Sequence, residues 1–83
     1  MNSNNKLERD ILIYLEDYSN TTFREYALPD IEQALAVLLR EGLIKDSHFT
    51  METADRNQRE LLVLKYMLTI GGHDLVEQLR SGV

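Results

Sequence analysis

The sequence predicts an α+β fold that is mainly α-helical, with three helices and one β-hairpin. Two segments, 6–18 and 29–41, repeat apolar side chains at the spacing of one face of an α-helix. From residue 45 the pattern alternates, and the β-rich run 61–68 follows a charged stretch, which indicates two strands joined by a loop. A short apolar stripe near the C-terminus predicts the third helix.

Length and composition limit what the chain can be. The 83 residues are enough for one small domain, predicted as 6–83 after a disordered polar tail at 1–5. The net charge of −5 does not attract nucleic acid, so any DNA contact needs a local basic patch. The chain has no cysteine, which excludes disulfides and Cys-ligated zinc. It has neither an apolar run that could span a bilayer nor a signal-peptide pattern, so we expect a cytoplasmic protein that does not contact membranes.

The first predicted helix begins next to Asn5 and Glu8, which resemble an N-terminal capping pair. Its pattern ends at Ser19-Asn20, residues that favour turns. The next segment, 21–28, fits one or two helical turns or a short strand, and both alternatives stay open. The apolar stripe of this first helix is Leu7, Ile11, Tyr14, Leu15 and Tyr18.

The second predicted helix has clear start and stop signals. Pro29 suits the first turn, and Asp30 suits either a cap or a first-turn acid that the helix dipole favours. Gly42 is predicted to end the helix in the left-handed conformation. The predicted inner face is Ile31, Leu35 and Leu38, with Ala34 and Leu39 on its flanks.

The C-terminal part is predicted as two strands and a helix. The first strand includes the alternation at 49–53, and the second, at 61–68, is apolar on both faces apart from Lys65. Thr69 is predicted to cap the last helix, whose first turn is weakened by Gly71-Gly72. The apolar stripe of that helix is Leu75, Val76 and Leu79.

This order of elements, together with two motifs, resembles a winged-helix domain. Leu35, Leu38 and the run Gly42-Leu43-Ile44 fit the "L-x-x-L-x-x-x-G-L-I" end of the recognition helix in bacterial winged-helix regulators. Tyr66, Leu68, Thr69 and Gly72 fit the "Y-x-L-T-x-x-G" run that closes the wing. The stretch 69–76 is similar to the end of a family of small winged-helix proteins of unknown function from bacteria and phages. In that stretch Ile70 replaces the family's tryptophan and Leu75 its phenylalanine.

The resemblance covers residues 6–80 and implies a winged helix-turn-helix with a hairpin wing and a C-terminal helix. It implies double-stranded DNA as the partner and transcriptional regulation in a bacterium or phage as the function. The alternative is a winged-helix module that binds protein and no nucleic acid. A strand at 21–28 would weaken the DNA prediction, and so would a recognition helix whose Asp30 and Glu32 are not neutralised.

The outward face of the second helix carries the first set of predicted DNA contacts. Gln, Arg and small apolar side chains read base edges in the major groove. Asp30 and Glu32 would repel phosphates, and the alternative is an ordinary solvated helix face. The candidates are Gln33, Ala36, Val37 and Arg40.

The predicted wing tip carries the second set, in the chain's one local excess of positive charge. Such residues suit phosphate or minor-groove contacts. Asp55 and Glu60 flank them, so a simple polar loop is the alternative. The candidates are Arg56, Asn57 and Arg59.

A further group of apolar residues predicts a homodimer. They exceed what one small core is expected to hide, and a two-fold dimer would place two recognition helices about one DNA turn apart. The alternative is that all of them are buried in one monomer. The candidates are Leu61, Val63, Met67 and Val76.

An enzymatic function is not predicted. His48 and His73 lack partners at metal-ligand spacing, and no Gly-rich phosphate loop or paired catalytic carboxylates stand out. The sequence therefore predicts no catalytic residue, no metal and no cofactor.

Overall fold

The computed structural model describes residues 5–17, 23–47 and 57–81. Over these residues the fold is α+β and mainly helical, with one antiparallel two-stranded sheet, as the sequence predicts. Lys45 lies opposite Met67 in that sheet. No described helix has the length and apolar character that crossing a bilayer requires. In chain order the elements are α1 (Asn5–Asp17), α2 (Leu28–Arg40), β1 (Ile44–Asp46), α3 (Gln58–Val63), β2 (Tyr66–Leu68) and α4 (Ile70–Ser81).

One core joins the apolar sides of the helices to the inner side of the sheet. At its centre the rings of Tyr14 and Phe23 pack edge to face, with centroids 5.2 Å apart. The inner face predicted for α2 is confirmed, and so is the stripe of α1 as far as Leu15, while Tyr18 lies outside the described residues. The buried apolar residues are Leu7, Ile11, Leu12, Tyr14, Leu15, Phe23, Ile31, Ala34, Leu35, Leu38, Ile44, Val63, Leu68 and Val76.

The predicted strand at 61–68 is wrong in its first half, because residues 58–63 form α3. A capping box starts this helix: Asn57 Oδ1 accepts from the Glu60 amide at 2.9 Å, and Glu60 Oε1 accepts from the Asn57 amide at 3.1 Å. The apolar run that follows packs α3 against α2. The alternation at 49–53 lies outside the described residues. A helix therefore stands within the connection from β1 to β2, where the sequence predicts a loop and the start of the second strand.

The connection between α1 and α2 differs from both alternatives considered for 21–28. Residues 23–27 are neither helix nor strand, whereas Thr21 and Thr22 lie outside the described residues. Phe23 has a φ of 61°, and its carbonyl accepts from the Tyr26 amide at 3.1 Å. No helix is thus described between α1 and α2 at the place where a helix-turn-helix needs one.

The end of α2 follows the sequence prediction. Gly42 has a φ of 75°, a left-handed conformation that costs glycine little. Its amide donates to the Leu39 carbonyl at 3.1 Å, and the Leu43 amide donates to the Leu38 carbonyl at 3.0 Å. These two bonds form a Schellman motif, which satisfies the last carbonyls of the helix and turns the chain into β1.

The two motifs that carry the winged-helix resemblance contact each other directly. The Thr69 hydroxyl donates to the Gly42 carbonyl at 2.6 Å and accepts from the Gly72 amide at 3.1 Å, which confirms Thr69 as the cap of α4. The Thr69 amide donates to the Leu43 carbonyl at 3.0 Å. We call these four residues, Gly42, Leu43, Thr69 and Gly72, the Gly42–Gly72 junction. It fixes the start of α4 against the end of α2.

Thr69→Ala is expected to lower the free energy of unfolding by about 1–2 kcal/mol, because the substitution removes the cap of α4 and the bond to Gly42. Thr69→Ser keeps the hydroxyl and should stay within about 0.5 kcal/mol of the wild type. Urea unfolding followed by circular dichroism measures both variants. Equal midpoints for Thr69→Ala and the wild type would contradict this role for the hydroxyl.

Candidate interaction surface

The outer side of α2 presents the residues that the sequence places there. Gln33, Ala36 and Arg40 are exposed and Val37 is half-buried, on the side opposite the core. Their amide, guanidinium and methyl groups have the chemistry that reads base edges. The orientation predicted for this helix is therefore confirmed, whereas its DNA contacts remain a prediction.

The charge of α2 is unfavourable for DNA. Asp30, Glu32 and Glu41 are exposed at the two ends of the helix, and Arg40 is the one basic residue between them. None of the three carboxylates forms an ion pair with another residue of the described segments. The positive end of the helix dipole favours Asp30 in the first turn, which explains the acid there without any ligand. Approaching phosphates would meet a net negative helix.

The hairpin-tip position predicted for Asn57 and Arg59 is wrong. Asn57 caps α3, and Arg59 within α3 donates from Nε to the Tyr26 carbonyl at 2.7 Å. Arg59 thus ties α3 to the turn between α1 and α2. Arg56, the third wing candidate, lies outside the described residues.

Two of the four dimer candidates belong to the core of the monomer. Val63 is 0% exposed and Val76 is 1% exposed, so neither can contact a second copy. Leu61 and Met67 are 36% and 43% exposed. For Val63 and Val76 the alternative, burial within one monomer, is correct. Val63 lies in α3 and Val76 in α4, and both helices pack on the core, whereas the sequence predicts Val63 on an uncovered face of a strand.

The outer side of the sheet combines apolar and basic side chains. Met67 of β2 lies opposite Lys45 of β1. Lys65 stands two residues before Met67, in the turn that leads into β2, and its carbonyl accepts from the Ser47 amide at 2.9 Å, so the ladder continues to Lys65 and we expect its side chain on the side of Met67. All three are exposed. Ile70, three residues after Met67 and therefore within about 11 Å of it along the chain, is 82% exposed. We call Lys45, Lys65, Met67 and Ile70 the outer sheet face.

Ile70 belongs to this face but is not among the site residues predicted from the sequence. The signal was present: Ile70 is nine positions before Leu79, which places the two on opposite sides of an α-helix with ~100° per residue. Leu79 lies half-buried in the apolar stripe of α4, on the side of the buried Val76, so Ile70 on the opposite side points outward. An apolar side chain in that position has no packing role of its own.

No family model, curated protein or solved structure matches this chain. The winged-helix resemblance therefore stays a prediction. The surface has to be interpreted from its own chemistry.

A polar cluster between α1 and the following turn is structural. The Lys6 ammonium donates to Asp10 at 3.1 Å, to Glu25 at 3.3 Å and to the Tyr26 hydroxyl at 3.1 Å. These bonds, first the one to Tyr26, raise the pKa of Lys6 above its ordinary value. Burial raises the pKa of Tyr26, and its bond from Lys6 opposes that shift. Lys6 is thus held as a cation and Tyr26 as a phenol, so neither has the lowered pKa of a nucleophile.

Two ion pairs and a buried carboxylate form further links between elements. His73 Nδ1 lies 2.6 Å from Glu16 Oε1, and Arg80 pairs with Asp17, so two contacts join α4 to the end of α1. The buried Glu60 carboxylate accepts from the Tyr14 hydroxyl at 3.4 Å in addition to its role in the capping box. Within segments 5–17, 23–47 and 57–81, no three His, Asp or Glu side chains come together as a metal site would require. His48 lies outside them.

Proposed function

We propose that this chain is a small protein-interaction module of winged-helix type that acts without a cofactor in the cytoplasm. The observation that carries the proposal is the outer sheet face, where the exposed Met67 lies opposite Lys45 and the 82% exposed Ile70 follows at the start of α4. Apolar groups rimmed by charge are typical of surfaces that bind proteins. Methionine suits such a surface because its flexible thioether adapts to different partners.

Three features of the described residues favour protein over DNA as the partner. Residues 23–27, directly before α2, form a turn, whereas a helix-turn-helix has a helix before its recognition helix. The outer side of α2 carries more acids than bases. Asn57 and Arg59, two of the predicted wing contacts, have structural partners instead. Basic contacts supply most of the affinity of proteins for DNA. With these three features, the described residues can contribute little electrostatic affinity for DNA.

Peptide selection tests the proposal. A random peptide library is panned on the immobilised folded protein, and the selected peptides are titrated against the wild type and against Met67→Gln/Ile70→Gln. We expect the double variant to lose at least about tenfold in affinity, because central apolar contacts dominate such interfaces. Leu39→Gln is the matched control, since Leu39 is an exposed apolar residue of α2. Selected peptides that bind the double variant as tightly as the wild type would overturn the proposal.

DNA reading is the second candidate, and the exposure of Gln33, Ala36 and Arg40 on one side of α2 favours it. In this function a homodimeric regulator would present two α2 helices to duplex DNA. Arg40→Ala would then relax sequence preference, and Glu32→Gln would tighten binding to every sequence by removing a charge that repels phosphate.

A salt titration with random-sequence duplex DNA separates the two candidates. Our proposal predicts no binding at about 50 mM salt, whereas a DNA-binding protein would bind there and lose affinity steeply as salt rises. Steep salt dependence together with a response to both Arg40→Ala and Glu32→Gln would establish the second candidate in place of the first.

A further inference from the structure

We infer that the outer sheet face binds an acidic peptide segment that also carries apolar side chains. The inference rests on the proposed function and specifies the chemistry of the partner. Lys45 and Lys65 supply two positive charges, and Met67 and Ile70 supply the apolar contact. A segment that alternates carboxylates with apolar side chains complements both.

The spacing of Lys45, Lys65 and Met67 fits one short segment. Lys45 and Met67 are direct cross-strand partners, with Cα atoms about 5 Å apart, and Lys65, in the turn before β2, is within about 7 Å of Met67 along the chain. Lys45 and Lys65 therefore both stand next to Met67, one across the sheet and the other two residues before it in the chain. A partner can place an apolar group on Met67 while its neighbouring carboxylates reach the lysines.

Charge also decides against two other occupants. In a two-fold pair of copies meeting at this face, the patch that contains Lys45 and Lys65 would face the same basic patch of the partner, and like charges in apposition are unfavourable. Nucleic acid offers phosphates for the lysines but no aliphatic side chains for Ile70. The chain has a net charge of −5 although it contains these two lysines, so its remaining surface repels an acidic segment and directs it to this face.

The face is held in place before any partner binds. Beyond the paired strands, the Ser47 amide donates to the Lys65 carbonyl at 2.9 Å, and the Thr69 amide donates to the Leu43 carbonyl at 3.0 Å. These bonds extend the ladder on both sides of the Lys45–Met67 pair. Binding therefore has little backbone left to order, which preserves the affinity of a small interface.

Fluorescence anisotropy with labelled synthetic peptides tests the inference. One peptide alternates Glu and Leu, a second replaces each Glu by Lys, and a third replaces each Leu by Ser. We expect the Glu/Leu peptide to bind and the other two to bind at least about tenfold more weakly. Raising salt from about 50 to 500 mM should weaken binding several-fold without abolishing it, because apolar burial is not screened.

Matched variants locate the site. Lys45→Glu/Lys65→Glu should weaken binding of the Glu/Leu peptide by at least about tenfold. Arg9→Glu/Arg24→Glu changes the net charge equally at exposed residues outside this face and should have a small effect. Circular dichroism confirms that each variant is folded. Equal losses in the two double variants would show a general charge effect and overturn the inference.

The remaining outcomes separate the inference from the proposed function. Library peptides that depend on Met67 and Ile70 but show no preference for acid would overturn the inference and leave the proposed function standing. A face that binds no peptide at all overturns both. Binding to phosphatidylcholine vesicles containing phosphatidylserine, with no binding to the Glu/Leu peptide, would assign the face to a lipid surface. A dimer in sedimentation that Met67→Gln/Ile70→Gln dissociates would assign it to a second copy.

Discussion

Gly72→Ala is expected to lower the free energy of unfolding by at least about 3 kcal/mol, a large fraction of the stability of a small domain. A Cβ at this position would lie 2.2 Å from the Leu43 carbonyl oxygen and 3.0 Å from Leu68 Cδ2. The oxygen belongs to the backbone and is bonded to the Thr69 amide, so it cannot move aside. Relief requires α4 to shift away from the end of α2. Chemical denaturation monitored by circular dichroism gives the loss.

Gly71→Ala is the matched control in the same turn of α4. A Cβ there meets its nearest neighbour, Thr69 Oγ1, at 3.7 Å, an ordinary contact. Alanine is the better helix former, so we expect unchanged stability or a gain of up to about 1 kcal/mol. Similar losses of unfolding free energy in the two variants would mean that the contact of Gly72 with the Leu43 carbonyl does not determine how closely α4 packs against the end of α2.

Phe23→Ala is expected to cost about 3–5 kcal/mol, as for other buried phenylalanines. The ring is 1% exposed and packs edge to face against Tyr14 in the centre of the core. Its removal leaves a cavity between α1 and the turn that follows it. The same denaturation experiment measures the change.

Phe23→Gly separates the ring from the backbone conformation. Both variants lose the side chain, but the φ of 61° strains alanine by about 1–2 kcal/mol and does not strain glycine. The glycine variant should therefore be more stable than the alanine variant by roughly 1 kcal/mol, the reverse of the usual order. If alanine is the more stable of the two, the left-handed conformation at this position is not retained.

Sequence reasoning succeeded where a local signal decides the structure. The apolar period of α2, the glycine after it and the threonine before α4 are signals contained in a single helix or its ends, and each is confirmed. Segment 61–68 misled because its apolar run suits a strand and a buried helix equally. The signal that distinguishes the two is the pair Asn57 and Glu60, which forms the capping box of α3 but was interpreted as part of a polar loop. At Phe23, tertiary packing of an aromatic ring overrides the backbone preference of that residue.

The candidate surface was predictable only in part. The helical period gave the outward position of Gln33, Ala36 and Arg40. Met67 was named for its apolar character, but its neighbour Lys45 becomes visible only from the pairing of β1 with β2. Register between distant strands is set by three-dimensional packing, and with an unforeseen helix between them the sequence does not reveal it.

The sheet pairs Ile44 with Leu68 across a connection that contains α3, which has consequences for how the chain folds. Such a pairing cannot nucleate as a local hairpin, because the entropy of closing the long connection has to be offset by helix docking first. The strands should therefore form late and together with the docking of α4, and the amides bonded between the two strands should exchange with solvent only through global opening. A partner that recognises Lys45 and Met67 side by side binds only the native chain, so its presence shifts the folding equilibrium toward the native state by mass action.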